Sequence, residues 1–346
     1  MSQEQPFRPT VTIVMPVYNV AAYVERCLLS VMRQMRPADE CIIVDDASPD
    51  ESIAICERLI AEYNGPTRFN ILHHKEKKGL SAARNTGTDA ATCEYIYYLD
   101  SDDELTTDCL EKLTEPLLRD QSIEMVMGNN IKDRSELHLS KREQFVVFNY
   151  DKWIEDTPAE LNTNKDLRKW FFKGGQHKRP PYVWNKLLKL DFIKSHRLYN
   201  KEGLLFEDRL WCYYLMRHLS HAAFVKDVTY LYRLRPDSIV TATKYENILL
   251  HRGLFYLEYA KNVVPGEHIE EAEYYSKGFC DYYIDAHNDP NYQYAYSIFR
   301  RELSDGHHRR MLFVLSLTHH LGKNNAGRRL FKFLRHTHAL ILRINR

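Results

Sequence analysis

A chain of 346 residues, 44% hydrophobic and 27% charged, can bury a large core, and its length suggests two or three structural units. Its net charge of +1 leaves no footprint for nucleic acid, and no internal repeat or low-complexity tract is present. The seven cysteines are odd in number, lack a C-x-x-C pair and sit mostly in apolar runs, which excludes a disulfide scaffold and suits reduced core thiols of a cytosolic protein.

The polar opening MSQEQPFRPT carries no signal peptide, and no apolar run approaches the length of a membrane span. VTIVMPVYN (11–19) reads as a strand ending in turn residues, and 21–35 has helical spacing at Val24, Leu28, Val31 and Met35. ECIIVDD (40–46) is a buried strand. Residues 48–63 read as a helix opened by a capping box, with Ser48 as N-cap, Pro49 at the first turn and Glu51 at N3. A strand over 68–74, a helix over 79–91, a strand over 94–100, a helix near 107–119 and a strand over 122–130 follow. Strands alternating with helices predict an α/β fold with a mostly parallel sheet covered on both faces. Residues 132–144 read as a polar connector, then helices are expected at 165–173, 183–195 and 206–219 and a strand at 223–234. From 246 onward the chain reads as helical, with breaks near Pro265, Pro290 and Gly322.

Ligands of such sheets bind beyond the carboxyl ends of the strands. Polar clusters stand there: Tyr18-Asn19 after the first strand, Asp45-Asp46 after the second, and Asp100-Ser101-Asp102-Asp103 after the fourth. The spacing Asp100-x-Asp102 suits a hard divalent cation such as Mg²⁺ or Mn²⁺ shared with substrate phosphates, or equally an acidic turn at the start of the next helix. Arg84 can hydrogen-bond a phosphate bidentately, or form a salt bridge to Asp100 or Asp102. Lys75, Lys77 and Lys78 can attract a diphosphate or simply solvate a loop. The adjacent histidines, His73-His74 among them, lack zinc-site spacing and read as surface or packing residues.

Four segments in order resemble the family 2 inverting glycosyltransferases over about the first 240 residues: VTIVMPVYNV, IIVDDASPD, GLSAARNTG and YLDSDD. The resemblance implies a GT-A fold, a nucleotide-sugar-binding α/β domain. It implies that Pro16, Tyr18 and Asn19 form the first turn of the nucleotide site, that Asp46 reads the nucleobase, and that Arg84, Asn85 and Asp100 line the site. Asp102, with Asp100, is the implied ligand of Mn²⁺ or Mg²⁺. A carboxylate can accept from the N3–H of uracil, which favours a UDP-sugar.

GLLFEDRLWCYYL (203–215) offers Glu207-Asp208 at the head of an amphipathic helix. An acid there is either a turn favoured by the helix dipole or a base; the resemblance makes Asp208 the base, with Trp211 as the aromatic after it. Trp184, Asn185 and Lys186 resemble an acceptor-side segment, with Trp184 as a platform for a sugar face. Arg233, Arg235 and Ser238 are candidates for clamping the leaving diphosphate; the plainer readings are a core tryptophan and a strand ending in a turn.

The expected organisation is a nucleotide-sugar-binding subdomain over 1–130, an acceptor-binding subdomain over 131–244 and a helical extension over 245–346. Residues 306–346 hold nine Lys/Arg and no Asp/Glu. The helix over 328–346, basic on one side, is expected either to meet an anionic membrane or to pack on the acidic body. The expected function is transfer of a sugar from a UDP-sugar to a glycan or lipid-linked acceptor in surface polysaccharide synthesis, at the cytoplasmic side of the membrane. Two rivals are a nucleotidyltransferase, which should carry a Gly-rich loop where PVYNVAAY has no glycine, and a non-catalytic sugar-nucleotide binder, which should lack an acid.

Overall fold

The computed structural model describes residues 7–133, 148–150, 152–173 and 179–235, and, further on, 251, 254–256, 258–259, 279–280, 283–284, 288–305 and 309–330. The chain divides into two units, Met1–Thr243 and Lys244–Arg346.

Every residue of Val11–Val17 (β1) and of Glu40–Asp45 (β2) is buried. Such continuous burial is what a strand covered on both faces requires, and it accounts for the largely apolar runs. β1 pairs in parallel with β2, and Arg68–His73 (β3) extends the sheet beyond β2, also in parallel. Tyr95–Tyr98 (β4) lies on the other side of β1, parallel to it. Val24–Met32 (α1), Ser52–Glu62 (α2) and Leu80–Ala90 (α3) connect these strands. The chain therefore steps outward from β1 to β3 and then reverses to β4, which opens a crevice beyond the carboxyl ends of β1 and β4.

The small residues of GLSAARNTG have a packing cause. A Cβ on Gly87 would meet Val14 Cγ1 at 2.3 Å, so α3 rests directly on β1. Gly79, just before the helix, has φ 95°, a region that costs glycine nothing.

The rest of the sheet is mixed. It adds Glu104–Leu105 (β5), Met125–Asp133 (β6), Phe148–Tyr150 (β7), Glu160–Leu161 (β8), Lys186–Lys189 (β9) and Ala222–Arg233 (β10), in the order β3-β2-β1-β4-β9-β6-β10-β5. β9 runs antiparallel to both β4 and β6, while β6 and β10 are parallel. Strands from residues before and after 131 thus share one sheet. Cys109–Arg119 (α4), Asn164–Arg168 (α5), Leu190–Ser195 (α6) and Glu207–His218 (α7) are the further α-helices described in this unit, beside a 3-10 turn at Lys152–Ile154 and a π-helical turn at Lys169–Lys173.

Three expectations are corrected. The helix expected over 183–195 is β9 followed by α6: Asn185 has φ 57°, which stops a helix, and β4 and β6 each need a partner edge that Lys186–Lys189 fills. The capping box of Ser48 and Glu51 is not formed. Helix α2 starts at Ser52, and the stronger acceptor Asp50 takes the Ser52 amide at 3.2 Å and the Ala21 amide at 2.8 Å. The polar connector begins later than expected, since β6 runs to Asp133; residues 134–147 lie outside the described residues.

All seven cysteines are free and buried. In the second unit, Pro290–Asp305 (α8) and Arg309–Leu321 (α9) are described, with Pro290 at the start of its helix where no amide is needed. Among the described residues no helix is long and apolar enough to cross a membrane. Ser238, Pro265 and the tail beyond Leu330 lie outside the described residues.

Candidate active site at the strand ends

Arg84, on α3, ties the crevice together. Its Nη2 donates to Asp100 Oδ1 at 2.6 Å and its Nη1 to Glu207 Oε1 at 2.6 Å, joining residues 123 positions apart. The guanidinium is enclosed, with 3% of the side chain exposed. Burial opposes its charge, but Asp100 and Glu207 outweigh burial and keep it protonated. The salt-bridge reading of Arg84 is the one the geometry gives, and its consequence is positional: the acid after β4 and the acid pair at the head of α7 share one cation.

The three aspartates after β4 turn to three different partners. Asp100 faces Arg84, and Asp102 Oδ2 accepts from Arg235 Nε at 2.7 Å. Asp103 is fully buried, accepting from the Tyr230 hydroxyl at 2.7 Å and the Arg233 amide at 2.8 Å. Burial, then the charges of Asp102 and Asp100, push the Asp103 carboxyl well up, so it is a structural acid of the loop. Asp100 and Asp102 keep exposed carboxylate, with 21% of each side chain open. Two hard oxygen donors at a strand end fit Mg²⁺ or Mn²⁺.

Asp208 sits in the first turn of α7, after Phe206 in the left-handed region at φ 65°. Its Oδ1 accepts the Arg209 amide at 2.8 Å. Burial, then the neighbouring Glu207, push its carboxyl up to about 7, against the pull of Arg209 and Arg84. A carboxyl poised there can take a proton near neutral pH. Burial also raises Glu207, and Arg84 opposes that rise.

On the β1–β2 side, Pro16 pairs within the sheet opposite Val44 and is buried. Asn19 is exposed with φ 54°, and its amide donates to Ser48 Oγ at 2.9 Å. Tyr18 carries Lys77 Nζ 3.7 Å from its ring centroid. Asp46 is 2% exposed and accepts from His74 Nδ1, the Lys78 amide and the Gly79 amide, each at 2.7 Å. Its Oδ1 is filled by two donors and its Oδ2 holds one, which leaves room for a single further N–H. Asn85 bonds the 200–202 turn, donating to Asn200 O at 3.0 Å and accepting the Asn200 amide at 2.8 Å.

Several acceptor-side candidates prove to be core. Trp184 stacks between Tyr182, at 4.1 Å, and Tyr230, at 4.4 Å, so neither ring face is free for a sugar. Asn185 is wholly buried; it donates to Gly128 O and Asn129 O, and it accepts from the Tyr97 and Thr229 hydroxyls. Lys186 is 1% exposed and donates to Tyr182 O. Trp211 donates from Nε1 to Leu198 O at 2.9 Å and meets Tyr98 edge-on. Arg233 is held by Glu104 and Asp133 rather than left open for a diphosphate. Asn185, Lys186 and Trp211 are buried polar groups that take partners within the protein, because leaving them unpaired is costly. Replacing Asn185 with Leu removes four buried hydrogen bonds and is expected to cost about 3 kcal/mol, roughly 6–12 °C in Tm. UDP affinity measured well below that Tm should hold; lost binding at unchanged Tm would restore Asn185 to the ligand site.

Sequence reasoning missed His74, which bridges Asp46 to Thr86 Oγ1 at 3.0 Å. Its signal was register: β3 lies beside β2 with His73 opposite Asp45, so the two histidines meet the two aspartates. It also missed Glu207 as the partner of Arg84. A separate cluster, Asp120, Glu160 and His221, brings ligand atoms within 4.8 Å of one another. It lies where β6 and β10 begin, at the opposite ends of those strands from the acidic loop, and His221 already bonds Glu160 and Ser122.

Residues 12–178 match the family described as Glycosyl transferase family 2. Glycosyltransferase GlyG of Streptococcus pneumoniae is 29% identical over 231 residues, 66% of this chain and 72% of GlyG. EpsH of Bacillus subtilis, which also bears a glycosyltransferase name, is 30% identical over 259 residues, covering 71% of this chain and 66% of EpsH. Among solved structures, residues 1–349 of TarS from S. aureus, crystallised with UDP-GlcNAc, match with a TM-score of 0.62 over 90% of both chains at 14% identity. At that identity the likeness speaks for the fold, a central sheet flanked by helices with a helical C-terminal region.

Proposed function

From its place in glycosyl transferase family 2, to which this chain belongs, we propose that the enzyme moves a sugar from a UDP-sugar to a hydroxyl of a glycan or lipid-linked acceptor, with inversion, in polysaccharide synthesis. The observation that carries this reading is the Arg84 bridge, which brings Asp100 at the end of β4 and the Glu207-Asp208 pair at the head of α7 to one crevice. Tyr18 and Asp46 line the nucleoside side. Asp208 takes the proton of the attacking hydroxyl, which approaches the anomeric carbon from the face opposite the departing UDP. Arg84 fixes the separation between that base and Asp100, so that both reactants are held in line.

Asp100 and Asp102 would hold Mn²⁺ or Mg²⁺, which supplies positive charge to the leaving diphosphate when bound. UDP as the nucleotide draws support from TarS, whose crystals hold UDP-GlcNAc or UDP. A polysaccharide role draws support from the Bacillus subtilis relative TuaG, named for teichuronic acid biosynthesis, 34% identical over 110 residues.

The test is release of UDP from a panel of UDP-sugars. At least one donor should release UDP with Mn²⁺ or Mg²⁺ present, and EDTA should lower that rate by about 10²-fold or more. A panel that releases no UDP, with or without metal and with glycan acceptors supplied, would sink the reading. A rate unmoved by EDTA would remove the metal from it.

A further inference from the structure

Beyond β10 the chain is delivered onto the acidic loop. The Arg233 amide bonds Asp103 at 2.8 Å, Arg233 Nε bonds Glu104 at 2.5 Å, and the Leu234 amide bonds Asp133 O at 2.9 Å. These anchors set Arg235 against Asp102, Nε to Oδ2 at 2.7 Å, with its guanidinium 4.8 Å from the ring centroid of Tyr23. The contrast with Arg84 is informative. Arg84 is sealed, at 3% side-chain exposure, and serves two carboxylates. Arg235 keeps 13% of its side chain exposed and Asp102 keeps 21%, so this pair is only partly covered.

Asp102 is also the residue assigned to the divalent cation in the reading above, on which this inference rests. An arginine and a metal compete for the same carboxylate oxygen, since two cations held there repel. We propose that Arg235 is a displaceable counter-ion. It neutralises Asp102 while the donor site is empty, gives up that oxygen when a divalent cation enters, and turns its guanidinium to the diphosphate entering with the cation. A guanidinium fork suits a diphosphate as well as a carboxylate, so the exchange trades one charge-assisted pair for another. Metal and nucleotide binding are then coupled through one side chain, and by reciprocity each strengthens the other by the same factor.

The experiment is calorimetric titration of Mn²⁺ and of UDP, each alone and in the presence of the other, on the full chain, Arg235→Gln, Arg235→Lys and Asp102→Asn. Arg235→Gln should bind Mn²⁺ alone about ten-fold more tightly than the wild type, having lost its competitor, and should bind UDP at saturating Mn²⁺ about five- to ten-fold more weakly. The coupling factor between the two ligands should fall accordingly, which a merely structural arginine would not produce. Arg235→Lys, with a point charge in place of a fork, should fall between, and it carries the test if Arg235→Gln does not fold. Mn²⁺ affinity in both Arg235 variants equal to or weaker than wild type overturns the proposal while leaving the metal reading intact. Asp102→Asn that binds Mn²⁺ like the wild type, or a wild type that takes none even with UDP, removes the metal reading and this proposal together.

Discussion

Asp208→Asn should retain UDP affinity and lose about 10²–10⁴-fold in turnover, since it removes a proton acceptor while leaving shape and donor contacts in place. In the wild type, turnover should rise with pH through a single ionisation near 7, where burial and Glu207 hold the Asp208 carboxyl. The same ionisation bears on stability with the opposite sense. The folded carboxyl titrates above its unfolded value, so its contribution is fully present below about pH 4 and is lost as pH rises through about 7. Asp208→Asn is therefore expected to match the wild type in Tm at pH 4 and to exceed it at pH 8 by roughly 2 kcal/mol, some 4–8 °C. Thermal scans at the two pH values, beside a rate profile, check both limbs. Full turnover in the variant would remove Asp208 from the chemistry, and equal Tm shifts at pH 4 and 8 would remove the titration.

Arg84→Met should be the most damaging single change in the first unit. It leaves Asp100 and Glu207 facing each other without their cation, and breaking such a buried pair costs about 3–5 kcal/mol. Glu207, already raised by burial, can relieve the loss by taking up a proton, so the destabilisation should be smaller near pH 5 than near pH 8. Adding Glu207→Gln to the same chain should recover part of it, because one of the two stranded charges is gone. Arg84→Lys keeps the charge but cannot reach both carboxylates with a fork, and should fall between. Urea unfolding at pH 5 and 8 of the wild type, both single variants and the double variant measures each step. Losses within about 0.5 kcal/mol for Arg84→Met at pH 8 would mean that the bridge does not organise the crevice.

The Arg84 prediction rests on a pair far apart in the chain, and this marks the boundary of what could be read beforehand. Largely apolar runs at 11–17 and 41–44 identified buried strands, because burial on two sides leaves no place for alternation. Polar residues at the ends of those runs located the crevice, since a side chain that terminates a buried strand emerges at the sheet's edge. Asp100 and Asp102 were legible for the same reason, Asp208 only through the family resemblance, and Gly87 as part of a motif whose cause is the contact of α3 with β1.

What the sequence could not carry is partner choice. Trp184 and Asn185 have the composition of a sugar site, yet Tyr182 and Tyr230 cover the ring, and the backbone of β6 consumes the amide. Arg84 could equally have met a phosphate; Glu207, brought in by α7 from 123 positions away, decided otherwise. Residue type and spacing fix which groups emerge where a strand ends, because those follow from local periodicity and burial. Which of them meet, and which are left open to a ligand, depends on helix placement across the sheet and on every buried donor finding its nearest acceptor, and only the folded chain decides that.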